Sequence, residues 1–588
     1  LDAAWIRATR RFALIAWALL GFGLLLGARW SYTELGWGGY WAWDPVENAA
    51  LMPWLIGTAF LHSVMVQEKR GMLRVWNACL IVATFSLALL GTFLVRSGVL
   101  QSIHAFGDST VGPYILGLIA VVVLGSTALI VSRLDDLRSE KRIDSLASRE
   151  AVFLVNNFLL VALCAAIFWG TFFPLISELF TGEKSSLAAP WFDRYTTPLA
   201  VLLVLFTGIG PLLAWRRVSW ASARRVFRVP AIAAAATGVA LALLTDATSS
   251  PWALALFVFA AFALVGIGQE FWRGAAARRA LGGGSMPAAL AGLVSRNRRR
   301  YGGYVVHVGV AVLLVGIAAS SSFQTNRDVE LRPGGSAVVD GRTVTYERPT
   351  VAVDPNKISL GAVLGVQQGG RSFVLRPSRD FFRPTGQPSG TIASFFEGEA
   401  TSEVGLKAGL GSDLWTSVGP DTAALQRRAR AADRGFRACV RGAPGTPPQC
   451  RVISRLMGAA AANPALRPAA LAQIEALQVA TAERIARSYV TDGAAVTFRV
   501  IVDPLVTWIW IGGLIALAGA LIAIWPSRRT RRRPAADTEL EALKEAKYRE
   551  IRDAELDHAA GKLSDEDFAL LDAELRREAV EILDREPV

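Results

Sequence analysis

Only four histidines occur in this 588-residue chain, and two of them stand where an imidazole is costly. His62 lies in the apolar stretch 49–66, seven residues before Lys69, and His307 lies in the apolar stretch 303–321, seven residues after Arg300. At about 1.5 Å of rise per helical residue, each ring sits roughly 10 Å inside its cluster of basic residues. The two therefore share a depth although 245 positions separate them in the chain. An ionisable side chain at membrane depth usually faces a partner or a cofactor. Two histidines at one depth on different helices could clamp a haem iron from both faces. They could also be unrelated, each bonded to a helix carbonyl, or form a proton relay.

A second group of residues suggests a flat ligand. Residues 30–54 read WSYTELGWGGYWAWDPVENAALMPW and hold five of the eighteen tryptophans: Trp30, Trp37, Trp41, Trp43 and Trp54. A few indoles at a membrane interface are ordinary. Five of them spaced by Gly36, Gly38 and Gly39 suit a large planar apolar ligand such as haem, since glycine permits close approach and flat rings stack. His104, in the loop RSGVLQSIHAFGDSTVGPY, could ligate an iron held there or be polar surface. Arg96 could pair bidentately with a haem carboxylate or anchor its helix at the interface. Asp44, Pro45 and Glu47 are accounted for by helix capping alone: an N-cap acid, proline at the first helical position and an acid in the first turn. His558 lies in a soluble tail and is not read as a ligand. No nucleophile–base constellation, P-loop or dinucleotide fingerprint occurs, and LGGGSMP at 281–287 has no phosphate-binding context.

These residues need a membrane to position them. The chain is 52% hydrophobic and 19% charged, with mean hydropathy +0.37, the composition of a polytopic membrane protein with soluble appendages. Ten stretches are long and apolar enough to span, near 12–28, 49–66, 76–95, 113–132, 151–173, 196–215, 229–245, 253–271, 303–321 and 504–525. Lys and Arg crowd alternate loops, which the positive-inside rule makes cytoplasmic. Both termini are then inside, while the Trp-rich segment, the His104 loop and the region 322–503 face outward. The net charge of +13 reads as this anchoring charge, with no nucleic acid as partner. The domains expected are a transmembrane haem-handling core at 1–321 with the outward segment 30–54, and an extracytoplasmic β-rich domain at 322–503 with a helical insertion at about 400–487. A last transmembrane helix at 504–525 and a cytoplasmic helical-hairpin tail at 526–588 follow. Ser564 is the expected N-cap of the second tail helix. That tail could dock a partner or stand solvated. No C-x-x-C occurs, which excludes a thiol redox motif and a covalent c-type haem site. Cys439 and Cys450 fall in the outer domain, where a structural disulfide is expected.

At this point the residues match a family. WGGYWAWDPVENAALMPWL resembles the tryptophan-rich "WWD" signature of haem-handling proteins. With FLHSVMVQEKRG, GTFLVRSGVLQSIHAF, SREAVFLVNNFLL, GTFFPLISELFTGE, RRYGGYVVHVGVAVLLVGIAASS and VDPLVTWIWIGG, in that order, it resembles the CcmF/NrfE-type cytochrome c haem lyase subunit. The resemblance covers roughly 1–360 and 488–525. It implies that His62 and His307 are the axial ligands of a resident haem b. It implies that His104 ligates a haem in transit under a surface of Trp37, Gly38, Gly39, Trp41, Trp43, Asp44 and Arg96. The family pattern also has a first outer-face histidine upstream of the Trp run. No histidine precedes His62 here, and the chain opens on Leu1, so further N-terminal spans are expected to be missing. The expected activity is thioether attachment of haem to the C-x-x-C-H motif of apocytochrome c at the bacterial cytoplasmic membrane, with no catalytic side chain singled out. Expected partners are a haem chaperone, apocytochrome c, thiol-reducing or CcmH-like subunits, and membrane lipid. A haem or solute transporter and a non-catalytic scaffold are the other classes. The first calls for a repeat that the sequence does not display, and the second for no bound haem.

Overall fold

The structure is a computed structural model describing residues 3–102, 104, 110–139, 143–216, 218–282, 284–354, 356–382, 391–397, 400–441, 443–445, 448–526, 539–559 and 561–584. Its helices are α1 (Ala3–Glu34), α2 (Pro45–Arg70), α3 (Arg74–Ser97), α4 (Gly112–Ser132), the short α5 (Leu134–Leu137), α6 (Arg149–Thr181), α7 (Ala189–Leu212), α8 (Trp220–Leu244), α9 (Pro251–Gly282), α10 (Met286–Arg296) and α11 (Arg298–Phe323). After the first strands come α12 (Ser394–Glu397), α13 (Ala423–Val440), α14 (Pro448–Ala462), α15 (Arg467–Asp492), α16 (Val506–Ile524), α17 (Glu539–Ala559) and α18 (Asp565–Leu583). Among the described residues, ten helices are long and apolar enough to cross a membrane: α1 to α4, α6 to α9, α11 and α16. The protein is thus the polytopic helical membrane protein expected from its hydropathy. The chain divides into two compact units, one of residues 1–27, 41–322 and 508–588, the other of residues 28–40 and 323–507. The Trp-rich run is divided between them.

In the membrane unit, α2 starts where the sequence calls for a helix start. Asp44 is an extended N-cap that accepts from Val46 N at 2.9 Å, Glu47 closes the capping box, and Gly71 ends the helix with a φ of 70°. Proline at the first position fits because its missing N–H would have no helical acceptor there. α2 and α6 pack antiparallel. Asn48 Nδ2 donates to Thr171 Oγ1 at 3.0 Å near one end, and Arg70 Nε lies 3.5 Å from Glu150 Oε1 near the other. Between these ends, Met52, Ala59, Leu160 and Ile167 are almost wholly buried in one apolar cluster. α11 and α16 meet through glycines: a Cβ on Gly302, Gly309, Gly512 or Gly519 would overlap the facing helix backbone. Small residues let membrane helices approach this closely, and helical geometry then turns His307 to the side of α11 away from α16.

The tail helices α17 and α18 are docked on the chain's own helix ends. Arg216 binds Glu578 bidentately at 2.9 and 2.8 Å, and Ser219 and Ser222 donate to Asp567 Oδ2 at 2.7 and 3.0 Å. Fully buried Lys562 donates to Pro211 O at 2.9 Å and pairs with Glu270. The hairpin is therefore not a solvated pair standing free of the chain. Ser564 caps α18 by accepting from Asp567 N at 3.1 Å.

The other unit is built on two antiparallel sheets. The first has the order β1-β10-β9-β8, formed by β1 (Thr325–Leu331), β8 (Gly405–Lys407), β9 (Ser412–Pro420) and β10 (Val496–Pro504). The second has the order β2-β3-β4-β6-β7, formed by β2 (Ser336–Val339), β3 (Arg342–Val353), β4 (Lys357–Gln368), β6 (Ser378–Phe382) and β7 (Ala400–Glu403), with β5 (Arg371–Leu375) also paired to β4. Tyr346 and Phe498 meet edge to face at 4.9 Å in the core, which Ala482 and Ala486 of α15 join. Strands continue to Pro420, so the helical segment begins at Ala423 and not near residue 400. The cause is that β9 is buried along most of its length; a strand covered on both faces loses the apolar–polar alternation that marks strands in sequence. Cys439 and Cys450 are joined by a disulfide. Residues 28–40 belong to this unit through Tyr32, whose hydroxyl donates to Asp413 Oδ2 at 3.3 Å and whose carbonyl accepts from Trp415 Nε1 at 2.8 Å.

Candidate functional site: two imidazoles and a divided tryptophan run

The structure brings His62 of α2 and His307 of α11 together. Their ring centres are 6.0 Å apart and their planes differ by 9°. An iron bound to both imidazoles at about 2 Å, with about 1 Å more from nitrogen to ring centre, sets the centres roughly 6 Å apart. His62 Nδ1 lies 2.9 Å from the Thr58 carbonyl. A carbonyl only accepts, so Nδ1 carries the proton and Nε2 is left to ligate, the usual backing of a metal-bound histidine. His307 Nδ1 is buried and has no hydrogen-bond partner among the described residues. The Phe153 ring of α6 lies 5.7 Å from His62, and Trp215 meets Phe153 edge-on at 5.8 Å. The two histidines and their surroundings therefore fit a bis-imidazole haem.

The membrane-unit part of the Trp run is a turn locked from several directions. Trp43 sits at a φ of 58°, a left-handed conformation that costs a bulky residue energy. Asn48 Nδ2 secures it by donating to Trp43 O at 2.9 Å. The Trp43 indole stacks on Phe192 at 4.9 Å and 8°, and its Nε1 donates to Asp193 Oδ1 at 3.0 Å. Trp41 meets Trp43 edge-on at 6.0 Å, and its own Nε1 is buried without an acceptor among the described residues. Trp54 stacks on Trp17 at 5.4 Å and is packing between α1 and α2. Phe192 and Asp193 carried no sequence signal, because they join this turn only across the fold.

His104 is tied to the same turn. Its Nδ1 lies 3.3 Å from Asp44 Oδ1, Ser102 Oγ donates to that same oxygen at 2.7 Å, and His104 N donates to Ser102 Oγ at 3.0 Å. The carboxylate beside it raises the His104 pKa above its ordinary value. Burial pushes the Asp44 carboxyl up, but the hydrogen bonds from His104, Ser102 and the Val46 amide outweigh it and hold it below the usual range. Arg96, in the last turn of α3, is exposed.

In the β-rich unit, Trp37 is about one-third exposed and lies over Gly39. Gly38, at a φ of 88°, is pressed against Ile501, so neither glycine offers that face to a ligand.

A family model described as "Cytochrome C assembly protein" matches residues 1–102. The Cytochrome c-type biogenesis protein CcmF of Pseudomonas aeruginosa is 36% identical over 423 residues, covering 71% of this chain and 61% of that protein. CycK of Rhizobium meliloti is 37% identical, covering 72% and 60%. The probable NrfE of Escherichia coli is 39% identical over 218 residues, covering 37% and 39%. Among solved structures, a "Cytochrome c Heme Lyase CcmF" superposes with a TM-score of 0.61 at 26% identity, covering 89% of this chain and 67% of that one. These matches place the chain in the class of polytopic helical membrane proteins of cytochrome c assembly. Within that class it belongs to the CcmF/NrfE family. It spans about 60% of the length of the first relatives named here.

Proposed function

We propose that this chain is a haem-binding subunit of a cytochrome c maturation system in the bacterial cytoplasmic membrane, one that promotes thioether attachment of haem to apocytochrome c outside the cytoplasm. The observation that carries the reading is the pair of near-parallel imidazoles of His62 and His307, 6.0 Å apart in the membrane unit. These residues would hold one resident haem b. When bound there, the group supplies a one-electron carrier.

The haem that is joined to the cytochrome is a substrate, delivered by a haem chaperone. In the membrane unit, Trp41, Trp43, Asp44, Arg96 and His104 are assigned to it. Asp44 holds the His104 Nδ1–H and so turns Nε2 toward the substrate iron. Arg96 offers a guanidinium to a haem carboxylate. The Trp43 ring is fixed by Phe192 and Asp193, and this keeps the surface rigid. Each thiol S–H of the C-x-x-C-H segment then adds across one vinyl C=C, forming a C–S bond with no leaving group and no oxidant. The chain contributes positioning, because the substrate provides the nucleophile. Thiol-reducing or CcmH-like subunits would keep those cysteines reduced, and the chain would act within their complex.

A pyridine haemochrome spectrum of the purified protein tests the resident site. A b-type signal is expected in the wild type and is lost in the His62→Ala, His307→Ala double variant. Absence of the signal from the wild type, or its survival in the double variant, removes the assignment. The geometry favours this reading over a scaffold, which has no use for two opposed imidazoles at membrane depth.

A further inference from the structure

The motif SREAVFLVNNFLL holds two adjacent asparagines, and the function proposed above uses neither. Asn157 is wholly buried, and neither its Oδ1 nor its Nδ2 has a hydrogen-bond partner among the described residues. The buried amides of Asn48 and Asn77 each donate through Nδ2, although the Oδ1 of each has no partner among the described residues. Asn48 Nδ2 reaches both Trp43 O and Thr171 Oγ1, and Asn77 Nδ2 donates to Gln67 Oε1 at 2.6 Å. Ser63, beside His62 in the chain, is also wholly buried with its Oγ unpartnered.

Helix geometry places these orphans beside the imidazoles. On α6, Phe153 touches His62 and Thr171 touches Asn48 of α2. Residues 153, 157, 160, 164, 167 and 171 follow the spacing of one helix face, so Asn157 lies on the face turned to α2. On α2, Asn48, Met52, Ala59 and Ser63 are buried to the same full extent and follow the same spacing. The antiparallel contacts at Asn48–Thr171 and Arg70–Glu150 then bring Ser63 level with Asn157. Asn157 is one turn, about 5.4 Å, from Phe153. Unsatisfied polar groups at membrane depth are strongly disfavoured unless something polar meets them.

We propose that Asn157 and Ser63 form a hydrogen-bonding site for the carboxylate side chains of the tetrapyrrole held by His62 and His307, an inference that rests on the resident-haem reading. An amide N–H and a hydroxyl can each donate to a carboxylate oxygen, and both groups stand here without another acceptor among the described residues. Asn157 and Ser63 are positioning residues here: they fix the orientation of the ring and slow its escape, while the histidines hold the iron.

The test uses the full-length protein with its haem as purified. It records resonance Raman spectra in the propionate-bending region and the rate of haem transfer to excess apomyoglobin. Wild type, Asn157→Leu, Ser63→Ala and Asn157→Gln are compared. Asn157→Leu is expected to shift the propionate band and to speed haem loss about tenfold, the scale of one hydrogen bond to a charged group, with the bis-histidine Soret band unchanged. Ser63→Ala is expected to act in the same direction but less. Asn157→Gln, which keeps the amide, is expected to restore the band, a rescue that a packing defect would not give. Wild-type haem with the same band and loss rate in Asn157→Leu and Ser63→Ala overturns this proposal and leaves the histidine assignment standing. A wild type without b-type haem overturns both.

Discussion

Asp44 caps α2 through the Val46 amide and also holds Ser102 and His104. An Asp44→Asn substitution would separate the two roles, because asparagine caps a helix about as well as aspartate. That variant is therefore expected to melt within a few degrees of wild type. Holocytochrome c yield in cells should nevertheless fall roughly 10- to 100-fold, as when a metal-bound histidine loses its carboxylate backing. Full yield would make Asp44 a cap and nothing more. For His104 itself, His104→Ala in the full-length gene is expected to abolish that yield. The sequence made the capping role legible, since an acid, a proline and a second acid stand in fixed order. The His104 contact was not legible, because the 60 positions between the two residues are closed by the fold.

In the β-rich unit, β9 and β10 set Asp413 directly opposite Asp503, and both are almost fully buried. Gly409 N, the Thr507 hydroxyl and the Tyr32 hydroxyl donate to Asp413. Among the described residues Asp503 receives Gln324 Nε2 at 3.3 Å, and its Oδ1 has no partner there. Burial first, with Asp413 adding to it, pushes the Asp503 carboxyl up to about 7. A folded pKa above the unfolded value means that the proton-bound fold is the favoured one. The stabilisation is present below about pH 4 and is lost as pH rises through 7, by up to about 1.4 kcal/mol per pH unit. This unit is expected to melt at a lower temperature at pH 8 than at pH 5, and Asp503→Asn is expected to flatten the difference. An unchanged pH dependence in that variant would clear Asp503. The sequence did not flag either acid. It marked short strands between turn residues, but strand register, which pairs the two, depends on neighbours far along the chain.

At the scale of the molecule, the C-terminal hairpin is part of the membrane unit. Lys562, between α17 and α18, is buried against Glu270 of α9, with Asp557 and Arg300 close by. Burial works against charge on Glu578, but Arg216 and Lys547 outweigh it and hold that carboxyl down to about 2. Removing one member of a buried ion pair typically costs about 3–5 kcal/mol, because the partner is left charged and dry. Lys562→Met is therefore expected to loosen the hairpin, seen as faster proteolysis within 539–584 and a lower melting temperature. A tail as resistant as wild type would show that Arg216 and the serine contacts to Asp567 suffice. Heptad-like charge made two helices and the Ser564 cap legible. Their docking was not, because a charged helix face looks the same whether it meets water or an opposite charge.

The sequence alone determined the ten spans, the start of α2, the β-rich character of the region after α11 and the equal depth of His62 and His307. Each of these rests on local chemistry or on distance along a helix of known rise, both of which the chain order records. Only the tertiary structure decided that the two imidazoles lie side by side with near-parallel planes and that the Trp-rich run is shared by two compact units. It alone decided that the tail folds back onto the membrane helices. Those outcomes depend on which helix faces meet and at what rotation. That is set by glycine contacts, capped turns and paired charges from distant parts of the chain, acting together.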